Sequence, residues 1–264
     1  MSTKLRYLYR AYRYRYRVDP AEVRFVRECL RPGQVAVDVG CHKGAYTYWM
    51  RRHVGPSGAV FAFEPQPRQV AYLRQVFGVM AYDNVMLVPK ALSDCEDRLP
   101  LAMPSGNGKT HGATLEQGSS RREPSGANHA SGTVESASAR PTYVDVDVTT
   151  LDAFFADQPR GPDFLKIDVE GHESAVLSGG RQTLERYRPG LLIECEARHR
   201  PDGDVRGVFD FLRSLGYAGT FFHNGQRRPL AEFERTVHQR IDPQSQHLPR
   251  GYVNNFAFEV GRVE

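Results

Sequence analysis

The chain has 264 residues, 40% of them hydrophobic and 25% charged, with a formal net charge of +4. This composition is typical of a folded globular protein and excludes the disordered, collagen-like and coiled-coil classes. No run of about 18 apolar residues is present, and the N-terminus lacks the apolar stretch of a secretory signal, so we expect a cytoplasmic protein that does not span a membrane. The four cysteines form no C-x-x-C pair, which argues against a zinc knuckle or a disulfide framework.

The first 17 residues form a basic arm that contains one lysine, five arginines and no acid. The rest of the chain holds 29 basic and 31 acidic residues, a formal charge of −2, and lacks the broad basic face that nucleic-acid binding requires. No nucleic-acid partner is therefore expected. As a helix, the arm separates an apolar face from a basic face, formed by Leu5, Leu8, Tyr9, Tyr12 and Tyr16 and by Arg6, Arg10, Arg13 and Arg17. This pattern predicts either packing on its own domain or on a dimer mate, or peripheral contact with an anionic membrane.

Beyond the arm, a helix is predicted from Asp19-Pro20 to the stop at Arg31-Pro32-Gly33. β-branched runs then alternate with helical stretches. The predicted strands are 35–40, 61–65, 86–88, 164–169, 191–195, 219–223 and 254–260, and the predicted helices are 45–53, 68–77, 173–187 and 205–215. This alternation predicts a doubly wound α/β fold with a mostly parallel sheet. We therefore divide the chain into the arm and first helix, 1–33, and an α/β domain, 34–264.

One segment, 103–140, does not fit the alternation. It contains six glycines and seven serines, and its only large apolar residues are Met103, Leu115 and Val134. Such a segment buries little surface to offset the entropy of ordering it. We predict a flexible insertion in the α/β domain that is either a substrate lid or disordered.

Two acids and two glycines mark the ends of the first two predicted strands. The first strand runs into Asp38, and Gly40 and Gly44 follow, so the chain can turn sharply and a ligand can lie against bare backbone. Glu64 ends the second strand, where doubly wound folds place an acid against ribose hydroxyls. The G-x-G-x-x-G spacing that receives a pyrophosphate is absent. The pattern predicts a nucleoside ligand without a pyrophosphate and disfavours a nicotinamide-dependent oxidoreductase.

The glycine loop followed by Glu64-Pro65 resembles the S-adenosylmethionine site of class I methyltransferases. Three further stretches narrow the resemblance: KALSD at 90–94, LKIDVEGHE at 165–173 and PGLLIE at 189–194. In this order and spacing they resemble the FkbM-type methyltransferase family over about residues 30–218. The D-V-E-G-x-E stretch is the most specific part, whereas the glycine loop is shared by many families.

The resemblance implies a Rossmann-like sheet of seven strands, one of them antiparallel. It also implies S-adenosylmethionine as methyl donor and a hydroxyl acceptor on a sugar, a glycolipid or a secondary metabolite. The positions that it assigns to the donor are, from the amino-acid end through the ribose to the adenine, Asp38, Gly40, Gly44, Glu64, Ser93 and Asp94. Of these, Glu64 would bind the ribose. The partner is thus a small-molecule or glycan acceptor, and the oligomeric state is not predicted.

Methyl transfer to a hydroxyl needs in-line alignment of oxygen, methyl and sulfur, and a base that accepts the hydroxyl proton. The catalytic candidates are Asp168, which ends the fourth predicted strand, and Glu170 and His172 just beyond it, because this edge of the sheet faces the donor. A divalent ion such as Mg²⁺ between Asp168 and Glu194 is an alternative means of activating the hydroxyl. The alternative to an enzyme is a peripheral membrane or interaction protein with a degenerate donor pocket.

Overall fold

A computed structural model describes residues 2–103, 114–115, 142–200, 203–241 and 248–261. Most of the predicted insertion at 103–140 lies outside these described residues, so its role as a lid or a disordered segment stays a prediction. The strands, numbered along the chain, are β1 (Val35–Val39), β2 (Ala59–Phe63), β3 (Val85–Val88), β4 (Ala91–Ser93), β5 (Asp97–Met103), β6 (Thr114–Leu115), β7 (Thr142–Thr150), β8 (Phe164–Ile167), β9 (Gly190–Glu194), β10 (Tyr217–His223), β11 (Gln226–Pro229) and β12 (Asn255–Val260).

The α-helices are α1 (Thr3–Arg13), α2 (Pro20–Cys29), α3 (Ala45–Val54), α4 (Pro67–Val79), α5 (Leu151–Ala156), α6 (Glu173–Ser178), α7 (Arg181–Tyr187), α8 (Arg206–Ser214) and α9 (Arg235–His238). A π-helical segment, Tyr14–Val18, continues α1 toward α2. Within the described ranges, no helix is long and apolar enough to cross a bilayer.

The central sheet confirms the predicted doubly wound, mostly parallel α/β fold. Its strand order is β11-β10-β12-β9-β8-β1-β2-β3, and the five strands from β9 to β3 run parallel to one another. The seven predicted strands are present, and β12 is antiparallel to β9 as the resemblance implies. The short edge strand β11, antiparallel to β10, adds an eighth strand that was not predicted. The carboxyl ends of β1, β2 and β8 therefore meet at one edge, as a ligand crevice requires.

A second sheet of order β4-β7-β5-β6 was not predicted. Its strand β5 ends at Met103, and β6 lies within the predicted flexible insertion, so that prediction is wrong at 103 and 114–115. The physical reason is burial: Leu115 is 8% exposed and packs in one apolar cluster with Leu101 and Val146. The apolar residues of the insertion's described part thus join an ordered sheet.

The single helix predicted at 173–187 is also wrong. It is two helices, α6 and α7, separated at Gly179-Gly180. A Cβ atom on Gly179 would lie 2.0 Å from the carbonyl oxygen of Ser93, so only glycine permits this approach between the helix end and β4.

The N-terminal arm packs on its own domain, but Leu8 and Tyr12 are the members of the predicted face that contact the core, and the most buried residues lie elsewhere on the helix. Tyr7 and Ala11 are fully buried, and the indole Nε1 of Trp49 donates a hydrogen bond to the carbonyl oxygen of Ala11 at 2.9 Å. Leu5 and Tyr9, which belong to the predicted apolar face, are 56% and 61% exposed. The arm and the sheet share one hydrophobic core, so the division after residue 33 does not separate two independently packed units.

Candidate active site

A cavity opens at the carboxyl ends of β1, β2 and β8, neighbours in the central sheet. It encloses about 990 Å³, its open mouth included. Six of the nine predicted site residues line it: Asp38, Gly40, Glu64, Asp168, Glu170 and His172. The other three, Gly44, Ser93 and Asp94, do not line it. The structure thus brings most of the predicted donor and catalytic residues to one place.

Asp38 lies at the floor of the cavity, where β1 ends. Its side chain is buried, and the hydroxyl of Thr47 on α3 donates a hydrogen bond to its Oδ2 at 2.5 Å. Burial raises the pKa of Asp38 to about 6, although the Thr47 hydrogen bond and the charge of Lys166 favour its ionised form. A carboxylate that is buried and only partly compensated is suited to a cationic ligand group.

The two glycines of the loop predicted to bind the donor, Gly40 and Gly44, are required by close packing within the protein. Both have a φ of 75°, which other residues rarely adopt. A Cβ atom on Gly40 would lie 1.9 Å from the carbonyl oxygen of Asp168, and one on Gly44 would lie 3.1 Å from Cε2 of Tyr7. The open side of Gly44 is therefore filled by the arm, and its predicted contact with the donor receives no support from the geometry.

Glu64 is fixed by the backbone of the two loops around it. Its Oε2 accepts a hydrogen bond from the His42 N–H at 2.8 Å, and its Oε1 accepts one from the Gln66 N–H at 2.9 Å. Burial raises the pKa of Glu64 to about 7 against the opposing effect of these two hydrogen bonds. Each oxygen keeps a further lone pair, so the carboxylate can still accept from two vicinal hydroxyls. The predicted ribose contact fits this geometry and stays a prediction.

His172 forms a chain of hydrogen bonds with the two residues predicted beside the adenine. Its Nε2 lies 2.9 Å from Oγ of Ser93, and that hydroxyl donates to Oδ1 of Asp94 at 3.1 Å. Because the hydroxyl has one proton, we infer that it accepts from an Nε2–H of His172. Burial lowers the pKa of His172, so the ring is neutral near pH 7. His172 is thus held by Ser93 through Nε2, and its predicted role as the base stays a prediction.

Lys166 is a functional candidate that the sequence reasoning missed. Its side chain is 1% exposed, and Nζ lies 3.7 Å from Oδ2 of Asp168, whose side chain is 35% exposed. Burial alone would lower the pKa of Lys166, but four carboxylates outweigh it, those of Asp168, Glu194, Asp38 and Asp19. The sequence did offer an indication, because Lys166 stands inside the apolar strand FLKI. A lysine that is buried with its strand needs anionic partners, and such partners indicate a cluster of charged groups. Lys166 is therefore an ion-pair partner of Asp168 at the cavity.

The position of Lys166 also bears on the alternative in which a Mg²⁺ ion activates the acceptor hydroxyl. Asp168 and Glu194 are the pair considered for Mg²⁺, and the ammonium of Lys166 already supplies positive charge beside Asp168 and interacts electrostatically with Glu194. Over the part of the chain that the structure describes, no group of three or more potential metal ligands is found. Because a buried ammonium already occupies the position beside Asp168, this pair of carboxyl groups does not fit a Mg²⁺ site, and we derive no step through a metal ion.

Glu170 lies on the cavity wall and is held by a partner outside it. Its Oε2 is 3.0 Å from Nδ1 of His199, and its backbone has a φ of 49°. A Cβ atom on the next residue, Gly171, would lie 2.3 Å from the carbonyl oxygen of His199. Glu170 is therefore fixed by its ion pair with His199. Of the two carboxylates among the predicted catalytic residues, Asp168 is the more exposed.

Two residues of the arm, Arg10 and Tyr14, also line the cavity, and sequence reasoning placed neither in the site. Burial, and next the charges of Asp19, Asp168 and Glu194, raise the pKa of Tyr14, so its hydroxyl stays protonated and can donate a hydrogen bond. The sequence contained an indication of this placement. Tyr7, Arg10 and Tyr14 follow one another at intervals of one helical turn, so they lie on the same face of a helix.

The chain matches known methyltransferases in sequence and in fold. Residues 38–218 match the FkbM methyltransferase domain model. The chain is 30% identical over 196 residues to the 2-O-methyltransferase NoeI of Sinorhizobium fredii, and the alignment covers 72% of this chain and 76% of that protein. The crystal structure of methyltransferase FkbM from Methylobacillus flagellatus KT superposes with a TM-score of 0.51 and 15% identity, over 98% of this chain and 55% of that longer one, and supports the fold alone. The chain therefore belongs to the FkbM family of S-adenosylmethionine-dependent methyltransferases.

Proposed function

We propose that the protein transfers the methyl group of S-adenosylmethionine to a hydroxyl of a sugar, a glycolipid or a secondary metabolite. The observation that carries the proposal is Asp168, an accessible carboxylate on the cavity beside the buried ammonium of Lys166. A hydroxyl needs such a proton acceptor to become a competent nucleophile. The similarity to a 2-O-methyltransferase supports the same acceptor chemistry.

In the proposed reaction, Asp168 is the general base and the donor carbon is attacked in line. The acceptor oxygen forms a bond to the methyl carbon while the bond from that carbon to sulfur breaks, and its electron pair stays on sulfur. The hydroxyl proton passes to the carboxylate of Asp168 and then to water. The products are a methyl ether, S-adenosylhomocysteine and a proton. Alignment of the three reacting atoms supplies a large part of the acceleration, because the sulfonium methyl is already activated.

The arm residue Tyr14 suits the acceptor side of this reaction. Tyr14 and Asp168 line the same cavity, and the ring of Tyr14 lies edge-on to Tyr46 with the centroids 5.9 Å apart. Tyr46 in turn donates a hydrogen bond to Oδ2 of Asp19 at 2.9 Å. We propose that Tyr14 orients the acceptor by donating to one of its oxygens, with Tyr46 and Asp19 holding the ring in place.

The direct test is transfer of a tritium-labelled methyl group to fractionated lysate from the source organism, followed by mass spectrometry of the labelled product. The expected product is an alkali-stable methyl ether, which fragments with the label on an oxygen. A label on nitrogen or carbon would contradict the proposal. Asp168→Asn should lose the labelled product, whereas Asp157→Asn, at an exposed position, should retain it.

A further inference from the structure

The outer side of the arm concentrates exposed apolar groups. In the part of the chain that the structure describes, ten large apolar side chains are exposed, and five of them fall between residues 5 and 18: Leu5, Tyr9, Tyr12, Tyr16 and Val18. Single exposed apolar residues are ordinary, whereas a contiguous group on one element indicates a contact surface. The arm thus presents a surface of the kind that contacts a partner.

Four of these side chains recur at intervals of three or four residues and so share one face of the helix. They are Leu5, Tyr9, Tyr12 and Tyr16, which together we call the exposed stripe. The fully buried Tyr7 and Ala11 lie on the opposite face. Trp49 fixes this orientation, because its indole N–H donates to the Ala11 carbonyl oxygen at 2.9 Å. The exposed stripe is therefore held outward by a helix that is docked on its other side.

Basic side chains flank the exposed stripe. Arg6 and Arg13 are exposed on one side of it and Lys4 on the other, and no acid occurs among the first 18 residues. Tyrosine rings bordered by cations match the surface of an anionic bilayer, where the rings lie at the level of the head groups and the cations meet lipid phosphates. A second copy of the chain would bring like charges together. The charge of the arm thus favours an anionic lipid surface over self-association.

The helix that carries the exposed stripe is also a wall of the candidate active site. Arg10 and Tyr14 line the cavity, and the exposed Arg6 and Arg13 lie between these two residues and the stripe around the helix. The thickness of one helix with its side chains, about 10–12 Å, separates the cavity from the stripe. A sugar that is linked to a lipid extends into water from the head groups, so it can reach the cavity past the arm.

We propose that the exposed stripe docks the protein on an anionic membrane and that the acceptor is a sugar carried by a lipid of that membrane. The inference rests on the proposed methyl transfer to a hydroxyl and narrows the acceptor to a glycolipid. Docking holds the cavity beside the head groups, so the acceptor arrives by movement within the membrane plane. The products are a methylated glycolipid, S-adenosylhomocysteine and a proton.

The first measurement is co-sedimentation of the full chain with vesicles made of equal parts of phosphatidylcholine and phosphatidylserine. The double variant Tyr9→Ser, Tyr16→Ser should bind these vesicles about tenfold more weakly, because two aromatic rings no longer enter the head-group region. Val237→Ser, on α9, is the matched control and should bind like the unaltered chain. The three side chains are 61%, 62% and 62% exposed, so their removal leaves the core unchanged.

The second measurement identifies the acceptor. The labelled methyl group of S-adenosylmethionine is transferred to a chloroform–methanol extract of membranes from the source organism, incorporated into the same vesicles. We expect the label in the lipid fraction, as an alkali-stable methyl ether. The double variant should label this fraction more slowly, in proportion to its loss of vesicle binding, with an unchanged affinity for S-adenosylhomocysteine in calorimetric titration.

Three results would overturn the inference. If the unaltered chain does not sediment with the vesicles, the stripe is not a membrane surface. Label confined to the aqueous fraction, or equal labelling of lipid by the double variant, would show that docking does not present the acceptor. A sedimentation coefficient that rises with protein concentration in the unaltered chain, but not in the double variant, would show that a second copy covers the stripe. If the chain binds vesicles but labels no oxygen in any fraction, the proposed function fails, whereas the docking surface stands.

Discussion

Glu64 should make donor binding depend on pH, and the size of the effect follows from its surroundings. Burial raises the pKa of Glu64 to about 7 and the pKa of Asp38 to about 6. An ionised carboxylate accepts from both ribose hydroxyls, whereas the protonated acid has lost part of that capacity. Donor binding should therefore require the ionised form of Glu64.

The expected change is large enough to measure without leaving mild conditions. When the pH falls from 8 to 6, protonation of Glu64 should raise the apparent Kd for S-adenosylhomocysteine about tenfold. Protonation of Asp38 should raise this Kd by a further factor of about two. The fold should not be lost over this range. Both carboxyls have a folded-state pKa above the ordinary value, so their contribution to stability grows as the pH falls through about 7 and about 6.

The assay is calorimetric titration at constant ionic strength in buffers from pH 6 to pH 8. Glu64→Gln should weaken binding at pH 8 and leave only the twofold dependence that comes from Asp38. Glu185→Gln, at an exposed position on α7, is the matched control and should keep the full dependence. A flat profile for the unaltered chain, or a tenfold dependence that survives in Glu64→Gln, would refute the assignment of Glu64 to the ribose.

Three further outcomes are expected. Asp168→Asn should lower kcat for methyl transfer at least about a hundredfold and leave the Kd of S-adenosylhomocysteine within about threefold, and a parallel loss of donor binding would contradict its role as base. Gly40→Ala should lower the free energy of unfolding in urea by about 2–5 kcal/mol, because its φ of 75° is strained for alanine and the new Cβ meets the Asp168 carbonyl. Gly78→Ala, where the added Cβ meets no described atom within 4 Å apart from its chain neighbours and the backbone of its own helix, is its control and should be neutral or stabilising. The exposed apolar and basic face of α1 should bind vesicles that contain phosphatidylserine; Tyr9→Ser should weaken sedimentation, and no sedimentation of the unaltered chain would end the membrane prediction.

The core of the fold and the gathering of six candidate site residues at one cavity could be predicted from the sequence, because both depend on short-range patterns. Apolar β-branched runs that end in Asp38 and Glu64 identify two parallel strands, and parallel strands must place their carboxyl ends together. Glycine spacing identified the loop between them. The physical role of Gly40 was less accessible, since its requirement comes from the backbone of Asp168, which is distant in the sequence.

Two features that the sequence did not indicate, the buried face of the arm and the second sheet, are determined by packing between distant parts of the chain. In the arm, helical periodicity favoured the face with the most Leu and Tyr, whereas the buried face is the one on which the small Ala11 lets α1 approach Trp49. In the second sheet, β7 alternates Val144, Val146 and Val148 with exposed Asp145 and Asp147, a strand pattern obscured by the neighbouring Gly- and Ser-rich segment.

The charges around the cavity also bear on the proposed transfer of a methyl group to oxygen. In the proposed reaction a sulfonium and the carboxylate of Asp168 become a thioether and a carboxylic acid, so one pair of opposite charges disappears. Removal from water favours such a step, because water stabilises the charged reactants more than the neutral products. The reverse difficulty is keeping Asp168 ionised until the acceptor arrives. In the proposed reaction Lys166 serves that requirement, since its buried ammonium lies 3.7 Å from Oδ2 of Asp168.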